Sequence, residues 1–262
     1  MRVERAATDP PHLTKGNNVN RTTDWQVKNG LGIWSVLGPA AAESLSLGHV
    51  DWIALDAQHG CYDDLAVRET LHHIAPATDV FVRVPKNDAA WIGRALDAGA
   101  RGVIVPMVED GAQAADAARA CRYPPDGQRS WGQFASHWGK PELTPAEANR
   151  HVVCAVMIET RKGLDNADAI AATPGVDMIF LGPFDLSIAL GTTVDALLQG
   201  DGGELETIVA ACRRHDVIAG AFAGDPARAD RLAQLGFEVL APARDRELLT
   251  AAAEKLANQR RG

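Results

Sequence analysis

The amino-acid sequence predicts an α/β fold, a single-domain (β/α)8 TIM barrel, and three observations carry that expectation. Eight short, β-prone apolar runs recur along the chain, and they lack the in/out alternation of a half-solvated sheet. Each is followed by an Ala-rich stretch with helical spacing, so the strands must lie parallel and be covered by helices. No G-x-G-x-x-G follows any run, which removes the usual signature of the alternative, an open doubly wound sheet. The length of 262 residues, 46% of them hydrophobic, suits one barrel.

The candidate strands, in order, are 31–36, 51–56, 79–84, 102–106, 152–158, 177–182, 217–222 and 237–241. Representative helical stretches are 89–99, 110–121, 161–173 and 226–235. Residues 1–25 are polar, with Pro10-Pro11 and an Asn-rich patch, and read as an N-terminal extension outside the core; 26–262 form the barrel. Segment 122–150 is the one long irregular connection, and a loop of that length in a compact domain is usually functional. Its Trp131, Phe134 and Trp138 either wall an apolar pocket or pack as structural aromatics.

With 26 basic and 34 acidic residues the formal charge is −8, which disfavours nucleic acid and anionic membranes as partners. No apolar run approaches the ~20 residues of a membrane span, and the N-terminus lacks an apolar signal-peptide core. Cys61, Cys121, Cys154 and Cys212 are widely spaced and form no C-x-x-C pair. Reduced thiols in a cytoplasmic protein are therefore expected, with Cys154 a small core residue.

In such a barrel the active groups stand at the carboxyl ends of the strands. Reading those ends gives Asp56 and His59, then Arg83, then Glu159, then Gly182, Pro183, Phe184 and Asp185. Two carboxylates on adjacent strands, Glu159 and Asp185, suit a hard divalent cation completed by water and substrate oxygens. The competing reading makes each of them the cap of the helix that follows. His59 is a candidate general base, and Arg83 ends an apolar strand where its charge must meet an anion. That anion is either a substrate or an Asp or Glu of the barrel mouth.

These segments together resemble the HpcH/HpaI aldolase family of metal-dependent class II pyruvate aldolases, over about residues 30–250. The resemblance rests on DWIALDAQHG (51–60), VRVPKND (82–88), LDAGARGVIVPMV (96–108), RYPPDGQR (122–129), IET (158–160) and GVDMIFLGPFDLS (175–187). It implies Glu159 and Asp185 as ligands of Mg²⁺, Mn²⁺ or Co²⁺, His59 as base and Arg83 as the group that neutralises the enolate oxygen. The amides of Gly182 to Asp185 would hold the carboxylate of an oxo acid, pyruvate or hydroxypyruvate, that adds to an aldehyde. It also implies that Asp97 raises the basicity of the histidine. Asp97 ends the helix before the fourth strand, so it must reach His59 from another subunit of a homo-oligomer, as in the family's hexamer; Asp56 is the local rival.

Three positions depart from the family pattern. Gln58 stands where Glu is usual, Met157 where Gln is common, and Phe184 where a small residue lies beside the metal-binding Asp, which narrows the pocket. No lysine offers a strand-end candidate for a Schiff base as convincing as Glu159 is for metal. Two other readings remain open: an acyl-CoA lyase of the related citrate-lyase-β type, and a non-catalytic barrel that binds oxo acids.

Overall fold

Trp52, Ile53, Ala54 and Leu55 are all buried, although neighbouring side chains on a strand point to opposite faces. Both faces of the sheet are therefore covered. The computed structural model describes residues 23–25, 30–199 and 202–261. Its strands are β1 (Gly32–Ser35), β2 (Trp52–Asp56), β3 (Asp79–Arg83), β4 (Gly102–Val105) and β5 (Val153–Ile158). They continue with β6 (Met178–Leu181), β7 (Ile218–Phe222), β8 (Val239–Ala241) and β9 (Ala243–Arg244). The helices are α1 (Pro39–Ser46), α2 (Asp64–His73), α3 (Ala89–Asp97), α4 (Gly111–Cys121), α5 (Pro145–His151) and α6 (Arg161–Asp165). After them come α7 (Ala167–Ala171), α8 (Pro183–Ala189), α9 (Val194–Gln199), α10 (Glu204–His215), α11 (Pro226–Leu235) and α12 (Asp245–Arg261).

All pairings are parallel, in the order β8-β7-β6-β5-β4-β3-β2-β1-β9. Pro242, which has no N–H to give, separates β8 from β9, so the two pieces share the eighth strand position. β8 pairs with β7 and β9 with β1, which brings the ends of the sheet together into a nearly closed barrel. Asp245 fastens that seam from the start of α12. Its buried carboxylate accepts from Ser35 Oγ at 2.7 Å and from the amides of Val36 and Leu37 at 3.0 Å.

Alternate strand residues feed two cores. Ile53, Leu55, Val80 and Val82 pack outward against the helices, while Trp52, Ala54, Phe81, Ile104, Met157 and Phe180 fill the barrel interior. A side chain on Gly32 would fall 2.0 Å from the Trp52 indole, so glycine there gives the ring its space. Asp63, Asp88, Asp110 and Asp225 cap α2, α3, α4 and α11, each accepting from a first-turn amide at 2.8–3.0 Å.

Three sequence expectations change. The assignment of 1–25 to an extension outside the core does not hold for its last residues. Trp25 is buried beneath the barrel, 5.2 Å from the Phe81 ring, with Nε1 donating to Asp79 at 2.9 Å. Thr23 N donates to the buried Asp177, and residues 1–22 lie outside the described residues. The helix expected over 161–173 is divided at Asn166 into α6 and α7. Segment 122–150 is not wholly irregular, since it contains a 3-10 turn at Phe134–Trp138 and α5, which opens on a Thr144–Glu147 capping box.

Candidate active site

Asp56 ends β2 at full burial, and both its oxygens are occupied. Arg83, at the end of adjacent β3, grips it with Nε–Oδ1 at 2.9 Å and Nη2–Oδ2 at 2.5 Å. Trp34 Nε1 donates to Oδ2 at 3.1 Å, and the amides of Gln58 and His59 donate to Oδ1 at 3.1 and 3.0 Å. Burial alone would raise the Asp56 pKa, but Arg83 with these N–H groups holds it below the ordinary value. Arg83 is thus paired inside the mouth, as one reading of its strand-end charge required. Its guanidinium lies 5.1 Å over the Trp34 ring, and Nη1 has no hydrogen-bond partner among the described residues. One nitrogen of a rigid, buried cation therefore remains for a ligand.

Glu159 follows β5 and is also buried. Its Oε1 accepts from Met107 N at 2.7 Å. Met107 holds a left-handed φ of 57°, which a non-glycine residue adopts only where its surroundings impose it, here at the site itself. The other oxygen faces Gly182, where a Cβ would stand 2.6 Å from Oε2; only glycine lets the backbone come so close. Burial raises the Glu159 pKa, and the charge of Asp185 raises it further against the pull of Met107 N–H and Arg83. Asp185 lies exposed in the first turn of α8.

The helix-cap reading of these carboxylates fails. Thr160 caps α6 through its hydroxyl, and α8 begins at Gly182 with no side-chain cap. The amides of Phe184 and Asp185 are left without acceptors among the described residues. No cluster of three or more His, Cys, Asp or Glu suited to a metal occurs among the described residues. A catalytic hard cation needs less than that. Two like-charged carboxylates, one of them buried with its pKa forced upward, form an electrostatic deficit that a divalent ion fits, with open positions for oxygen ligands.

His59 sits two residues beyond Ala57 on the turn that Asp56 holds, and its exposed imidazole bonds to no side chain among the described residues. Asp56 therefore orients the His59 backbone and does not act as the local partner of the ring. Asp97 ends α3 away from this rim, bonded to Arg129 at 2.7 Å, and burial raises its pKa against that pairing. A cavity of about 500 Å³ lies beside it, lined by Arg68, Arg94, Trp131 and Phe134. Trp131 and Phe134 thus line a different surface from Glu159 and Asp185, and Trp138 lies 5.0 Å from the His72 ring, so these aromatics do not wall the site of their own chain. The sequence reading missed Trp34, Met107 and Phe222. Only the strand-end position of Phe222 signalled it beforehand, because the other two act through partners 22 and 52 residues away.

A family model for HpcH/HpaI aldolase/citrate lyase matches residues 32–252. The chain is 36% identical over 234 residues to a 5-keto-4-deoxy-D-glucarate aldolase of Klebsiella pneumoniae, covering 87% of this chain and 91% of the relative. It is 37% identical over 224 residues to a hydroxypyruvate/pyruvate aldolase of Paraburkholderia phytofirmans, covering 82% and 86%. The crystal structure of a family protein from Burkholderia cenocepacia J2315 superposes with a TM-score of 0.81 at 34% identity, covering 89% and 95% of the two chains. Both named relatives are aldolases, which make and break carbon–carbon bonds, and this chain is an enzyme of that class. The barrel, the paired rim carboxylates and these matches converge: the chain belongs to the HpcH/HpaI aldolase/citrate lyase family.

Proposed function

We propose that the chain is a class II aldolase that reversibly joins pyruvate or hydroxypyruvate to an aldehyde, giving a 4-hydroxy-2-oxo acid. The observation that carries this reading is the Glu159–Asp185 pair beside a buried arginine with a free nitrogen. Glu159 and Asp185 are the residues that would hold Mg²⁺, Mn²⁺ or Co²⁺. When bound, such an ion supplies Lewis acidity that draws charge toward the 2-oxo oxygen.

The chain's own groups do the rest. The free amides of Phe184 and Asp185, at the positive end of α8, receive the substrate carboxylate, and Gly182–Pro183 set their direction. In cleavage, His59 takes the proton of the C4 hydroxyl and the C3–C4 bond breaks toward the keto acid. Arg83 Nη1 faces the negative charge that develops on the enolate oxygen. Its guanidinium is already fixed by Asp56, so it need not reorganise as that charge appears.

Asp97 is assigned to the His59 of a neighbouring subunit in a homo-oligomer, a hexamer by family analogy. Its partial burial and the exposed Trp131 and Phe134 beside it support a contact surface there. The thiol pattern supports a cytoplasmic location; no helix among the described residues is long and apolar enough to cross a membrane. Retro-aldol release of pyruvate is expected to vanish in EDTA and to return with Mg²⁺, Mn²⁺ or Co²⁺. Full activity in the chelator, or a lysine adduct trapped by borohydride, would overturn the assignment.

A further inference from the structure

We propose that Phe184 and Phe222 form the acceptor wall of the site, and that the aldehyde this enzyme takes is apolar, aromatic or branched aliphatic, not polyhydroxylated. The inference rests on the aldolase reading and names its substrate class. Three rings contact one another in succession from the barrel interior outward. Trp34, whose indole bonds Asp56 beneath Arg83, lies 5.3 Å from Phe222 at the end of β7. Phe222 lies 5.8 Å from Phe184, the residue before Asp185. Phe184 is 37% exposed, a large apolar ring open beside a candidate metal ligand.

The backbone of the next loop packs beside that ring. Gly224 holds a φ of +77°, which favours glycine, and a Cβ there would be in ordinary contact with the Phe184 ring. The cations against this wall are partly engaged by carboxylates of their own. Arg228 lies 5.5 Å over Phe184 but bonds Asp195 at 2.8 Å and approaches Asp225 at 3.4 Å. Arg244 lies 5.7 Å over Phe222 but grips Glu247 with Nε and Nη2 at 3.0 and 2.5 Å. A polyhydroxylated acceptor placed along these rings loses hydrogen bonds to water and finds mainly apolar ring surface in return. An apolar aldehyde loses nothing polar beyond its carbonyl and gains ring contact. The addition balances without a co-reactant: C3 of pyruvate gives up a proton, the C3–C4 bond forms at the aldehyde carbon, and the aldehyde oxygen takes a proton.

The experiment compares kcat/KM for benzaldehyde and for glyceraldehyde with pyruvate and Mg²⁺, in the wild type and in Phe184→Ala and Phe222→Leu. The wild type is expected to favour benzaldehyde about tenfold or more, and each substitution to shrink that ratio by about the same factor. The ratio is the readout because partial unfolding lowers both substrates alike. A wild-type ratio at or below one, or a ratio that moves in neither variant, overturns the proposal. Metal-dependent exchange of the pyruvate C3 hydrogens in D₂O needs no acceptor and separates the two readings. Exchange with no turnover of either aldehyde sinks the acceptor assignment alone; absence of exchange sinks the aldolase reading with it.

Discussion

Arg83 carries two jobs on one guanidinium. Nε and Nη2 neutralise the buried Asp56, and Nη1 is left for the substrate. Arg83→Ala therefore strands a buried carboxylate and is expected to cost about 3–5 kcal/mol in urea unfolding. The pH dependence fixes the sign. The Asp56 pKa is depressed from 3.8, so the pair stabilises the fold above that value and the contribution is lost as pH falls through the folded pKa. In Arg83→Ala, burial is left as the largest influence on Asp56, so that part of the acid loss should disappear. Arg83→Lys keeps a charge but loses the fork, and is expected to lower kcat more than it changes metal affinity. Glu159 gives the opposite sign. Its pKa is raised from 4.5, so its contribution to the metal-free protein is full below that value and lost as pH rises through the folded pKa. Asp185→Asn removes one cause of that rise. The metal-free variant should melt slightly higher than the wild type at neutral pH, by calorimetry. It should also lose most of the roughly 2.7 kcal/mol that metal at a hundredfold excess over Kd would otherwise add. A metal response equal to the wild type's would remove Asp185 from the ligand set.

At the scale of elements, the turn between β6 and α8 is the precise part. Its first residue must be glycine for Glu159 to lie against the backbone, and the helix that follows leaves its leading amides open. Gly182→Ala places a methyl group 2.6 Å from Glu159 Oε2 and 3.1 Å from Met157 Cε. Met157 can yield, but Glu159 is pinned on its other side by Met107 N. The variant is expected to fold, with a circular dichroism spectrum like the wild type's, while metal affinity by isothermal titration falls about 10–100-fold. Unchanged affinity would mean that Glu159 does not bind metal from this position.

For the whole molecule, the question is where His59 finds its partner. The end of α3 and the turn after β2 belong to different parts of the barrel, and Asp97 is engaged by Arg129 within its own chain. Asp97→Ala is expected to stay folded and oligomeric by light scattering while losing aldol activity. Mixing it with His59→Ala subunits should restore part of that activity, because some sites then draw one intact residue from each parent. A fully active monomer would end the shared-site idea.

The eight strand positions and their helices were legible in the sequence because each depends on neighbours within one turn or one strand: periodicity, and apolar runs without alternation. The strand-end rule then placed Asp56, His59, Arg83, Glu159 and Asp185 on one rim. Other features depend on contacts between residues far apart in the chain. Asp56 meets Arg83 across 27 residues and Glu159 meets Met107 across 52, and no local pattern specifies which oxygen is taken and which left open. Trp25 reads as part of a polar tail until Phe81 and Asp79 are brought beneath the barrel to receive it. Strand β9 is two residues after a proline, too short to show a period, and exists because β1 needs a neighbour. Local chemistry determined the barrel and the candidates on its rim. Tertiary packing decided their roles, because burial, pairing and close approach are properties of what folding places next to a side chain.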